Sequence, residues 1–116
     1  MSDLWNLQTE FSQSAALLIQ KAKKLGYQVT LGEAFRTAEQ AAYNAAHGLG
    51  IAHSVHQDKL AIDINLFKNG SYITDDTGHK DLGAWWKTLG DKYRWGGDFE
   101  REDFNHYSIT PDGVRA

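Results

Sequence analysis

Apolar residues return at helical intervals near the start of the chain. Leu4, Leu7, Phe11, Leu18, Ala22 and Leu25 fall on one stripe, polar side chains fill the other face, and Gly26 follows. That spacing predicts a first amphipathic helix that stops at the glycine. The pattern then shortens: residues 27–31, Tyr-Gln-Val-Thr-Leu, alternate in character and predict a short strand. Thr37 with Gln40 makes a capping-box pair, so a second helix is predicted over 38–47, ending at Gly48.

The strongest strand signal lies at 61–67. Ile62, Ile64 and Leu66 belong on the core face; Ala61, Asp63 and Asn65 belong on the other. Asn69-Gly70 predicts a hairpin turn with a return strand over 71–74. Asp81 is placed to cap a third helix bearing Leu82, Trp85, Trp86 and Leu89, with one tryptophan in the core and the other half-exposed. Trp95-Gly96-Gly97 reads as a turn, Tyr107-Ser108-Ile109 as a last strand and Pro111-Asp112-Gly113 as a terminal turn. Helices interleaved with hairpin strands give a small α+β domain. At 116 residues, 1–116 is expected to be that single domain.

Composition narrows the chemistry. Hydrophobic content of 41% is that of a globular chain. Twelve basic and fifteen acidic residues give a net charge of −3, mixed along the chain, which argues against a nucleic-acid partner. Cysteine is absent, so any metal must be held by His, Asp or Glu. The N-terminus lacks a basic stretch followed by an apolar run, and no stretch is long and apolar enough for a membrane partner. The chain is expected to be made in the cytoplasm without a signal peptide and, if it acts outside, to be released by something else.

Two separated segments carry metal-ligand chemistry. Ser54-Val55-His56 leads to Asp63, and Asp103 stands three residues before His106. Two imidazoles and a carboxylate suit zinc, which in hydrolases takes three protein ligands and leaves one position for water; a further carboxylate could serve as base. Each residue has a plainer alternative. His56 could be a loop histidine, Asp63 a paired carboxylate, and Asp103 one more solvated member of the acidic run Asp98, Glu100, Glu102, Asp103. Ser54 could approach the metal or substrate, or cap a turn. Arg36 could clamp a substrate carboxylate or pair with Glu33. His47 suits a helix end, His53 an exposed loop or a place beside the ligands, and His79 a polar turn; none is assigned to the site. There is no Gly-x-Ser-x-Gly elbow, P-loop, dinucleotide fingerprint or His-Glu-x-x-His.

Together these motifs resemble the M15 family of zinc D-Ala-D-Ala carboxypeptidases and L-alanyl-D-glutamate endopeptidases. The matching residues are Ser54, His56, Ala61, Asp63, Asp103 and His106, with Glu33-Ala34-Phe35-Arg36-Thr37 upstream and Trp95-Gly96-Gly97-Asp98-Phe99 before the final motif. The likeness runs over about residues 30–109. It implies a hedgehog/D,D-peptidase fold, an antiparallel sheet with flanking helices. It implies zinc (Zn2+) on His56, Asp63 and His106, Asp103 as general base and acid, and Arg36 and Ser54 as substrate contacts. The aspartate at 103 and the short chain look like the phage endolysin branch. The expected substrate is then the bacterial peptidoglycan stem peptide, cut by a monomer at the L-Ala-D-Glu bond. Rival expectations are a D,D-carboxypeptidase or dipeptidase of the same fold, a non-catalytic zinc-binding module, and a peptidase acting on peptides outside the wall. Lys59 departs from the family pattern, where many members carry glycine. A side chain is tolerated there if the backbone angle is ordinary.

Overall fold

A computed structural model describes residues 3–32, 34 and 59–110. The predicted second helix, Arg36, Ser54, His56 and the terminal turn at Pro111 lie outside the described residues. Within them, helix α1 (Asp3–Lys24) precedes strand β1 (Gln28–Leu31). Strand β2 (Ala61–Lys68) and β3 (Ser71–Tyr72) follow, then helix α2 (His79–Lys87), β4 (Tyr93–Trp95), a 3-10 turn (Gly96–Asp98) and β5 (His106–Ile109). The five strands form one antiparallel sheet in the order β1-β2-β5-β4, with β3 paired to the end of β2. This is the expected α+β architecture. No described helix is long and apolar enough to cross a membrane.

The inward stripe of α1 is Phe11, Ala15, Leu18 and Ala22, all buried. Leu4 was expected on it but is 41% exposed; the stripe begins a turn later, at the half-buried Leu7. Gly26 ends the helix with φ +94, a left-handed angle that costs glycine little. In β2 the alternation is as the period of two requires: Ile62, Ile64 and Leu66 are buried in the core, while Asp63 and Asn65 are half-buried on the opposite face. Asn69 (φ 52) and Gly70 (φ 80) are both left-handed, the signature of a type I′ hairpin, and return the chain to β3.

Helix α2 starts two residues before Asp81. Gly78, with φ 80, occupies the N-cap and no side chain caps the helix, so Asp81 sits in the first turn instead. There its charge still meets the positive end of the helix dipole. Trp86 is fully buried and Trp85 packs at the edge. The Trp86 ring lies edge-on to Phe11, Tyr93 and Tyr107 at 6.0, 4.9 and 5.9 Å, and its Nε1 donates to Ser108 O at 3.1 Å. That one side chain joins α1, α2, β4 and β5, and its indole hydrogen is satisfied despite burial. Tyr93 adds a second tie, bonding Ser14 Oγ at 2.7 Å and donating to Glu10 Oε2 at 2.8 Å on α1.

Candidate metal centre

Register decides what meets on the sheet's other face. Asp63 pairs directly with His106 across β2 and β5, and directly opposed residues in antiparallel strands share a face. His106 Nδ1 lies 3.5 Å from Asp63 Oδ1. His106 is 3% exposed, whereas Asp63 keeps about a quarter of its side chain open. The imidazole is thus fixed by burial while the carboxylate reaches the surface.

Asp103 joins them through a turn. His106 N donates to Asp103 O at 3.0 Å, which stacks the acid over the histidine three residues on. Asp103 N donates in turn to Gly96 O at 2.9 Å, pinning the turn to the 3-10 segment. Only glycine fits at 96: a β-carbon there would collide with Asp103 O and stand 2.8 Å from His106 Cβ. The Trp95-Gly96-Gly97 segment therefore lets the final motif close onto β4, and Trp95 Nε1 donates to Phe104 O at 2.9 Å to hold it there. Gly32 is similarly close to Asp63, its N–H donating to Asp63 O at 2.7 Å.

Asp63, Asp103 and His106 thus each offer a ligand atom, and these atoms all lie within 4.8 Å of one another. Donors sharing one zinc at its usual bond lengths stand about 3.4 Å apart, close to the observed 3.5 Å between His106 and Asp63. An imidazole facing a carboxylate, with no thiolate, fits a borderline cation such as zinc, and Asp103 stands beside the pair. The structure brings together two of the three expected ligands and the expected base. The third ligand His56, with Arg36 and Ser54, lies outside the described residues.

Of three further features, two escaped the sequence reading and one, at Lys59, was expected to have an ordinary backbone angle and does not. His79 is fully buried at the start of α2, not in a polar turn: its Nδ1 bonds the Tyr107 hydroxyl at 2.8 Å and its ring lies tilted against Phe104, centroids 5.3 Å apart. Burial pulls its pKa from 6.5 to about 4, Asp76 opposing the shift, so the ring is neutral. Burial also pushes the Tyr107 hydroxyl well above its usual range. Second, Lys59 has φ 61, so its backbone is left-handed and the angle is the one that favours glycine. Third, Asn65 and Asn105 bond one another beside the carboxylates. Only the departure at Lys59 was signalled in the sequence.

No family model matches the chain, and no curated protein matches it in sequence. Its fold is similar to the crystal structure of the Serratia marcescens L-Ala D-Glu endopeptidase ChiX, at a TM-score of 0.65 and 16% identity, over 80% of this chain and 75% of that one.

Proposed function

We propose that the chain is a zinc-dependent peptidoglycan peptidase that hydrolyses the stem peptide at the L-Ala-D-Glu bond. The observation that carries this reading is the convergence of Asp63, Asp103 and His106 from separate elements, on a fold shared with a peptidase of that specificity. Asp63 and His106 would hold the ion, with His56 as third ligand. Zinc, when bound, supplies a Lewis acid for the scissile carbonyl and lowers the pKa of water. Asp103, the exposed member of the group, takes a proton from the attacking water and returns it to the leaving nitrogen. Arg36 binds a carboxylate of the stem peptide through paired hydrogen bonds, and Ser54 contacts the substrate. The protein works as a monomer on the cell wall after release from the cytoplasm, in the manner of a phage endolysin.

Digestion of purified peptidoglycan with mass analysis of the products tests this. Free amino termini on D-Glu with intact terminal alanines are expected. Release of terminal alanine alone would replace the proposal with a D,D-carboxypeptidase. Zinc bound at one equivalent with no product from any wall preparation would leave a non-catalytic module.

A further inference from the structure

Beyond the Asp63–His106 pair, the same sheet face carries a second rung of polar side chains. Thr30 of β1 pairs with Asn65 of β2, and Asn105 precedes β5. Asn105 Nδ2 donates to Ile64 O at 2.9 Å and to Asn65 Oδ1 at 3.0 Å; Asn65 Nδ2 donates to Thr30 Oγ1 at 3.3 Å. The direction of this chain is fixed. Ile64 O is a backbone carbonyl and can only accept, so the amide nitrogen of Asn105 must face it. Both Asn105 hydrogens are then used, which orients Asn65 in turn.

The same bookkeeping shows what is left over. Asn105 Oδ1 can still accept, and one hydrogen on Asn65 Nδ2 and the Thr30 hydroxyl hydrogen can still donate. Thr30 is exposed, and both asparagines are half-buried. An open acceptor beside open donors is the complement of a peptide group. Asn65 stands two residues from Asp63 on one strand face, roughly 7 Å away. A peptide lying along β2 advances about 3.4 Å per residue, so it would meet the rung about two residues from the bond held at Asp63 and His106.

We propose that Thr30, Asn65 and Asn105 form a subsite that hydrogen-bonds a main-chain amide of an extended peptide substrate, about two residues from the cleaved bond. The inference rests on the peptidase reading and adds its specificity-determining residues. Asn105 also braces the turn that bears Asp103, so the rung is best probed at Asn65 and Thr30.

The test uses the full chain loaded with zinc and made inactive by Asp103→Asn, titrated calorimetrically with a purified wall stem peptide and with the dipeptide L-Ala-D-Glu, which spans only the cleaved bond. Adding Asn65→Ala is expected to weaken binding of the long peptide by about tenfold, the loss of roughly one good hydrogen bond. Zinc affinity and binding of the dipeptide should stay within about twofold. Thr30→Val, which keeps the side chain's shape, should give a smaller loss of the same kind and serves if Asn65→Ala does not fold. Unchanged binding of the long peptide in both variants would overturn the subsite while leaving the peptidase reading intact. Equal losses for zinc and for both peptides would overturn it too, by making the rung a brace for the metal side. No binding of any wall peptide by the parent protein would remove the peptidase reading, and the subsite with it.

Discussion

Tyr107 and His106 are neighbours in β5 and face opposite ways, and the two sides of the sheet that they mark are built on different terms. On the Tyr107 side, polar atoms are tucked into apolar packing and bond one another there, Tyr107 with His79 Nδ1 and Trp86 with Ser108 O, while His79 Nε2 is buried without a partner among the described residues. On the His106 side, two carboxylates approach one buried imidazole, and the asparagine rung beside them keeps unused hydrogen-bonding capacity. The first face contributes packing and stability. The second accepts electrostatic crowding that a ligand would relieve. Substitutions on the two faces should therefore separate cleanly into losses of folding and losses of activity.

The largest separation is expected from Asp103→Ala. Loss of a general base lowers turnover on peptidoglycan by about 10²–10⁴-fold. Because Asp103 is exposed, the thermal midpoint of the zinc-loaded protein should move by no more than about 3 °C. Zinc measured by competition with a chelator should still bind at one equivalent. Loss of zinc along with activity would make Asp103 a ligand and not a base; retained lysis would remove it from the mechanism.

Trp86→Ala probes the other face. It removes the α2 side chain that touches α1, β4 and β5, at a cost of about 3–5 kcal/mol. For a domain of this size the midpoint should fall by more than about 10 °C. At a temperature where the variant is folded, its zinc affinity should match the wild type. If zinc affinity fell in proportion to stability, the two faces would be one cooperative unit and the contrast would fail.

His79 gives a smaller, pH-dependent test. The folded chain favours the neutral ring, with a pKa near 4 against 6.5 unfolded. Below 6.5 the unfolded state binds more protons, so this contribution to stability is complete above about 6.5 and is lost as pH falls toward 4. His79→Asn places an amide where Nδ1 stood and does not titrate. The wild type should lose stability relative to His79→Asn between pH 6.5 and 4 in urea melts, with the difference level above that window. A constant difference across the whole range would mean that the ring titrates alike in the folded and unfolded chain and is not buried as described.

What the sequence made legible follows from how local each cause is. The alternation in β2 depends only on a period of two, and the turn at Asn69-Gly70 only on two residues that accept left-handed angles, so both could be read directly. Asp81 looked like a cap because its residue type is right, but Gly78 already supplied the left-handed entry and the helix began earlier. The Asp63–His106 register needs β2 and β5, far apart in sequence, to pair, and no local pattern encodes that; ordered motifs pointed to it only through resemblance. His79 was passed over because its acidic surroundings in the chain suggested solvent, while its burial depends on Tyr107, 28 positions away. Asn105 was hidden inside a motif whose acid and histidine drew the attention.

Lys59 offers the smallest and most informative change, since it sits where the chain enters β2 and serves both faces. Its neighbour Leu60 is fully buried in the core, and Asp63 follows on the open face. At φ 61 a lysine carries about 1 kcal/mol of local strain that glycine would not. Glycine also raises the entropy of the unfolded chain, which offsets part of the gain. Lys59→Gly should therefore stabilise the fold by no more than about 1 kcal/mol, visible as a modest rise in the urea midpoint. Lys59→Asn, like Asn69 at φ 52, should recover part of that without the full entropic cost. Lys59→Ala keeps the β-carbon and should recover almost nothing, so the order Gly, Asn, Ala isolates backbone strain from loss of the lysine charge. If alanine stabilised as much as glycine, charge and not backbone geometry would govern this position, and the strain at the entry to β2 would be discarded.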